Sequence, residues 1–361
     1  MQFEKGLAVI RVLRRPLVPP SATVWPGQPA WLVAWLVLLS LLLAGWPVPA
    51  RTAAGDGAPA AAPRLRLVVS RTPLSLPLYV ADSQGLFTAE GLAYEIREVQ
   101  GGHRAMQAVL DGGADLATTS EAVVMFNSLQ RSDFVVLASF VTSDNDIKVV
   151  VRRDVPASRI GQLAGRRVGT VQGAASAYYL DTALLLGGVE PAKVQVRNLA
   201  PEKMAAALAA GEVDAVAIWE PVAYEVAHSV PGAHVLPRGS SYRLAFNLVM
   251  PRALRGVRDA DLVKLLRALD KAQRLIAAQP RLAQEVLRKR LGLDQAFIDW
   301  IWPDYRYRLS LDQQWITTIE GEARWALQEG HARGTYMPNY LDFLYSSPLR
   351  SVNAQAVSVI E

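Results

Sequence analysis

The chain has 361 residues, with 38 Lys or Arg against 33 Asp or Glu, a formal net charge of +5 and no cysteine. The missing cysteine excludes disulfides, thiolate zinc sites, cysteine nucleophiles and a lipid-modified N-terminal cysteine. Hydrophobic residues at 51% and charged residues at 20% describe a globular protein, and three of the surplus charges fall in residues 1–50. The near-neutral remainder argues against a nucleic-acid binder, which needs a basic face.

Ala30 to Gly45, AWLVAWLVLLSLLLAG, is an uncharged run of sixteen residues. A signal h-region takes about 7–15 residues and a spanning helix about twenty. Basic residues precede the run and Pro47-Val48-Pro49-Ala50 follows it. Residues 1–50 therefore read as a signal peptide cleaved after Ala50, with an uncleaved anchor as the competing reading. Residues 51–63, rich in Ala, Gly and Pro, read as a tether. Either way the chain is expected outside the cytoplasm, in the periplasm.

From Arg64 strand-like and helix-like stretches alternate. Strands are expected at Leu65 to Val69, Tyr94 to Arg97, Asp115 to Thr118, Phe134 to Ala138 and Lys148 to Val151. Helices are expected at Ala105 to Leu110, stopped by Gly112-Gly113, and at Glu121 to Leu129. The pattern then restarts. Strands at Arg167 to Thr170, Val194 to Val196 and Val213 to Ile218 alternate with helices at Ser176 to Leu186 and Pro201 to Ala210. Such alternation implies an α/β fold with a largely parallel sheet in each half. The restart reads as a repeat: Met106 to Asp115 with Glu121 six residues on matches Met204 to Asp214 with Glu220 six residues on.

Leu244 to Met250 reads as a strand, and two helical stripes follow: Leu262, Leu265, Leu266, Leu269, Ala272, Ile276, then Trp315, Ile316, Ile319, Ala323, Ala326. Both stripes read as core. The expected organisation is residues 64–150 as the first part of lobe I, 151–240 as lobe II, and 241–361 as a return to lobe I with C-terminal helices. Two crossings, the first at Asp144-Asn145-Asp146, would make a hinge and a cleft. In open parallel sheets ligands sit beyond the carboxyl ends of the strands, which selects the loops that matter.

In lobe I these are Arg71 to Pro77, Gln100 to His103 and Thr118 to Glu121. Ser120 and Glu121 read equally as an N-cap with a first-turn acid or as part of an anion cradle. In lobe II, Gly169 to Ser176, which holds Gln172, Ala174, Ala175 and Ser176, brings backbone N–H groups toward an oxyanion. It lacks the P-loop ending and the G-x-G-x-x-G spacing. Trp219 offers an apolar wall. Glu220 reads as a ligand acid, a lock between lobes, or an ordinary helix-start acid. No G-x-S-x-G elbow or paired histidines appear, so no catalytic residues, metal or cofactor are expected and the chain reads as a non-enzyme.

Thr72 to Ala81, Gly85 to Leu92, Gly112 to Ala117, Arg167 to Thr170 and Gly211 to Ala215 together resemble the nitrate/sulfonate/taurine class of ABC-transporter substrate-binding proteins. The resemblance implies a type II periplasmic-binding-protein fold, with two α/β lobes that close on a small solute and deliver it to a membrane permease. It carries anion contacts onto Ser75, Thr119, Ser120 and Ala174 to Ser176. The family's amino-sulfonate binders use cleft acids, and Glu121 and Glu220 stand in comparable places. A small organic anion, an aliphatic sulfonate or taurine-like solute, is the expected ligand, and the protein is expected to be a monomer. The missing cysteine argues against the pyrimidine-synthase branch. An enzyme on the same fold and a membrane-tethered sensor are the alternatives.

Overall fold

Residues 64–239 and 242–360 are described by a computed structural model, so the expected signal peptide over 1–50 and tether over 51–63 lie outside the described residues. The first half runs β1 (Leu65–Ser70), α1 (Leu76–Ser83), α2 (Leu86–Ala89), β2 (Tyr94–Val99), α3 (Gly102–Leu110), β3 (Leu116–Ser120), α4 (Glu121–Ser128), β4 (Phe134–Ser143) and β5 (Ile147–Val151). Next come β6 (Arg167–Thr170), α5 (Ala175–Leu186), β7 (Gln195–Asn198), α6 (Met204–Ala209), β8 (Ala215–Trp219), α7 (Val222–Ser229) and β9 (His234–Val235). The chain closes with β10 (Leu244–Pro251), α8 (Asp259–Ala278), α9 (Pro280–Leu291), α10 (Gln295–Ile301), β11 (Tyr305–Arg306), α11 (Gln313–Gln328) and α12 (Ser347–Val352).

The strands form two sheets, ordered β11-β4-β10-β3-β1-β2 and β7-β6-β8-β5-β9. In each, three parallel strands are joined by an antiparallel strand beside the third, β10 in the first sheet and β5 in the second. The fold is the periplasmic-binding-protein type, with one α/β lobe per sheet. The chain crosses between lobes at residues 144–146 and again between β9 and β10.

One boundary moves. The strand at 148–151, expected within lobe I, pairs along its whole length with β8 of the second sheet and with β9. Lobe II therefore begins just after the first crossing rather than at residue 151. Sheet membership is decided by these distant partners, which local pattern does not contain.

The helical stripes sit where burial demands. All six apolar residues expected on one face of α8 are buried, and so are all five on α11. Pro280 at the start of α9 ends α8, since its ring cannot continue a helix. Asp312 caps α11 by accepting from the Trp315 amide at 3.0 Å. Among the described residues no helix is long and apolar enough to cross a membrane.

The repeat has a structural counterpart. Asp115 accepts from the Arg66 amide and from its guanidinium at 2.9, 3.2 and 2.7 Å. Asp214 does the same to Arg167 at 2.9, 3.2 and 2.7 Å. Met106 and Met204 are both fully buried behind them. The Arg167 bonds hold Asp214 below the usual carboxylate range. For Asp115 burial pushes upward, but the bonds from Arg66 outweigh it and the net shift is also down.

Candidate functional site

A cleft of about 700 Å³ opens between the sheets. Its lobe I wall starts from the ends of β1, β2 and β3: Thr72 and Leu74 after β1, Gly101 and Gly102 at the start of α3, then Ser120, Val123 and Phe126. Leu244 and Phe246 of β10 continue it. Lobe II contributes Val171, the Gly173–Ala175 stretch, Trp219, Glu220 and Pro221. Helix starts therefore meet the cleft from both sides.

Local sequence explains these starts. Gly101 has φ 83, the left-handed region that glycine enters without penalty. At Gly102 an added Cβ would lie 2.8 Å from Thr119 Oγ1, so only glycine lets α3 begin against β3. Ser120 Oγ accepts from the Val123 amide at 3.4 Å and caps α4. Ala174 at the N-cap of α5 has no side chain able to bond, which leaves first-turn amides without a side-chain acceptor beside the cleft. Such groups favour an anion through their dipoles and free N–H donors.

Of the ten residues singled out from sequence, Ser120, Ala174, Ala175, Trp219 and Glu220 line the cleft. The other five do not. Ser75 is fully buried and its hydroxyl donates to the Ser70 carbonyl at 2.8 Å. Ser176 is fully buried and receives the Thr170 hydroxyl at 2.9 Å. Both hydroxyls thus turn back onto the end of the preceding strand. Thr119 is fully buried, and its Oγ1 has no partner among the described residues. The Gln172 amide donates to Asn198 Oδ1 at 3.1 Å, and its residue stands outside the lining.

Glu121, the first residue of α4, is fully buried. It accepts from the Tyr242 hydroxyl and, at 2.7 Å, from the Ala245 amide, so it grips the second crossing and not the cleft. Glu220 has its oxygens engaged although it borders the cleft. One accepts from Trp300 Nε1 at 2.6 Å and pairs with Lys148 Nζ at 3.0 Å. The other accepts from the Tyr224 amide at 2.9 Å. Lys148 also reaches the Asn145 carbonyl at 2.6 Å and Asp304 at 3.2 Å. Glu220 and Lys148 thus fasten the first crossing to the C-terminal segment.

The hinge holds further acids that sequence inspection did not single out as site residues. Asp146 accepts from the Tyr305 hydroxyl at 2.6 Å, and burial pushes its carboxyl up to about 7. Glu322, on the buried face of α11, is pushed well above the usual range by burial and then by the nearby Glu121 charge. Burial drives Glu121 the same way. A signal for Glu322 was present in the sequence, because it falls on the stripe between Ile319 and Ala326. Phe126, Asn127, Leu244 and Phe246 of the lining carried no comparable signal. Among the described residues no cluster of three or more His, Asp or Glu is placed to hold a metal ion.

Comparison with known proteins adds the lineage. The family model described as NMT1/THI5 like matches residues 72–283, more than half of the chain, and the chain belongs to that family. A Brucella abortus protein provisionally named a binding protein is 22% identical over 229 residues, 61% of this chain and 69% of its own length. The solved periplasmic aliphatic sulphonate binding protein SsuA from Escherichia coli superposes with a TM-score of 0.69 at 20% identity. That match covers 78% of this chain and 92% of SsuA. The desulfurization enzyme DSZB also superposes, with a TM-score of 0.59 at 17% identity over 81% of this chain and 99% of its own.

Proposed function

We propose that this family member is the extracytoplasmic solute-binding component of an ABC importer, which closes its lobes on an aliphatic sulfonate and passes it to a membrane permease. The supporting observation is the division of the cleft. Hydroxyls and helix-start amides gather around Thr72, Gly102, Ser120 and Ala175, while Phe126, Phe246, Leu244 and Trp219 supply apolar wall. A sulfonate headgroup accepts several N–H and O–H bonds without needing a cation, and an alkyl chain gains from apolar contact.

The acids refine the ligand class. Asp146 and Glu220 border the cleft but are tied to Tyr305, Trp300 and Lys148, and Glu121 faces the second crossing. An ammonium group such as that of taurine therefore meets no disengaged carboxylate of these three. This favours plain aliphatic sulfonates over amino-sulfonates. The leader expected over residues 1–50 supports export to the periplasm. Binding without turnover is supported by the same facts: the Ser120 hydroxyl caps its own helix, and the two acids that border the cleft are held by Tyr305, Trp300 and Lys148.

A titration by tryptophan fluorescence tests the reading, with a series of alkanesulfonates, taurine, nitrate and short carboxylates. Alkanesulfonates are expected to saturate the signal and raise the melting temperature in the same rank order. The recovered ligand should be chemically unchanged. Saturation by nitrate or carboxylates alone would overturn the ligand class, and a converted ligand would overturn the non-catalytic reading.

A further inference from the structure

A second hollow, of about 650 Å³, lies beside the two crossings and shares no lining residue with the cleft. Consecutive residues divide between the two: Arg243 lines the hollow and Leu244 the cleft. Tyr305 borders the hollow, and its hydroxyl bonds Asp146, which borders the cleft. The hollow therefore touches both segments that any lobe movement must bend.

Its charge is unbalanced. Arg243, Arg306 and Arg308 line it, and among the described residues none of the three lies in ion-pair contact with a carboxylate. Arg306 spends one nitrogen on the Pro303 carbonyl at 2.6 Å. The two acids of the lining are engaged already. Asp144 pairs with Arg238 at 2.6 Å, and Asp312 caps α11. Trp302 and Tyr307, with ring centres 6.0 Å apart and planes tilted by 50°, add an aromatic wall.

We propose that this hollow is a second binding site, for a small oxyanion carrying two or more negative charges. Three guanidinium groups outside any ion pair among the described residues, against two acids engaged elsewhere, offer forked N–H donors that suit phosphate or carboxylate oxygens, and an occupant would bridge Arg243 of one crossing to the β11 segment that bonds the other.

Isothermal titration of the protein with sodium pyrophosphate and, separately, sodium citrate tests this at ionic strength fixed with sodium chloride. One-to-one saturable binding is expected for at least one, and the preferred probe separates a phosphate from a polycarboxylate occupant. Arg306→Gln and Arg308→Gln change exposed residues. Each is expected to weaken binding about tenfold, the effect of one charge-assisted hydrogen bond, and the double variant about a hundredfold. Arg243→Gln should act likewise, with circular dichroism checking its fold because the residue is half-buried. Arg197→Gln, exposed on β7 of the other lobe, should leave affinity unchanged. Failure of both anions to saturate, or undiminished affinity in the Arg306→Gln/Arg308→Gln variant, overturns the proposal.

Discussion

The unit built on β1 and β3 and the unit built on β6 and β8 are alike at one end and different at the other. At the strand starts Asp115 and Asp214 hold Arg66 and Arg167 through the same set of bonds. Five residues on, Ser120 ends β3 where Trp219 ends β8, and both face the cleft. One residue further, Glu121 grips the second crossing through neutral partners, whereas Glu220 grips the first through a buried cation. The end that only has to close a lobe keeps one solution, and the end that meets ligand and hinge carries two.

The largest test of this difference is at the hinge. Lys148→Met leaves Glu220, whose side chain is fully buried, without its cation, which is expected to cost about 3–5 kcal/mol. Glu121→Gln should cost less than about 1 kcal/mol, because burial already favours the neutral carboxyl and an amide keeps its shape. Urea denaturation at pH 7 measures both. Equal losses would show that the two acids are held by the same chemistry.

Acidity separates the two ends next. Asp146, raised to about 7 from 3.8, binds its proton more tightly in the native than in the unfolded state. Glu121 and Glu322 shift in the same direction. Asp146 and Glu121 make stability fall as pH rises from about 4 to about 7, a change of a few kcal/mol, and Glu322 adds a fall of the same sign. Asp115 and Asp214, held low, have the opposite sign, and their contribution is lost only as pH drops below the ordinary carboxylate value. Urea midpoints at pH 5 and pH 8 should therefore decline, and Asp146→Asn should reduce the decline. A midpoint that stays level across this window would mean that the hinge acids are charged in the native protein.

The comparison also marks what could be read from sequence. The two units were legible because Met106 to Glu121 and Met204 to Glu220 keep residue types at nearly equal spacing, and the α8 and α11 stripes because burial repeats every three to four residues. The cleft loops were legible from strand ends. The jobs of the acids were not. Glu121 and Glu220 look identical as first residues after a strand, and their partners Tyr242 and Trp300 lie 121 and 80 residues away. Ser75 and Ser176 misled in another way, since a hydroxyl at a helix start can satisfy its own backbone as easily as a ligand.

Within the cleft the contrast is Ser120 against Trp219. Along an alkanesulfonate series each methylene is expected to tighten binding about fourfold, equivalent to about 0.8 kcal/mol. Trp219→Ala should flatten that slope, costing about 1–2 kcal/mol for the longer chains, by removing apolar wall. Ser120→Ala should instead weaken every member of the series alike, since a headgroup contact does not depend on chain length. Fluorescence of the Ser120→Ala protein and calorimetry of both variants provide the slopes. Reversed effects would mean that Ser120 meets the alkyl chain and Trp219 the headgroup.

The smallest expected effect bears on the end that the two units share. Asp115→Ala and Asp214→Ala each remove a carboxylate that forks a partly exposed arginine and accepts one backbone N–H. Solvent screens the charge, so each should cost about 1 kcal/mol. The three bonds to the paired arginine match in both lobes, and the one further contact of Asp214, with Arg152 at 3.5 Å, is long and partly exposed, so the two losses should agree within about 0.5 kcal/mol; because the sites share no partner they should add in the double variant. Thermal melting followed at both near- and far-ultraviolet wavelengths resolves this. Unequal losses would mean that one lobe leans on its clamp more than the other, despite the same three bonds to its arginine. The unit would then be a shared shape held by different energies, and the equivalence of Asp115 and Asp214 would stop at their coordinates.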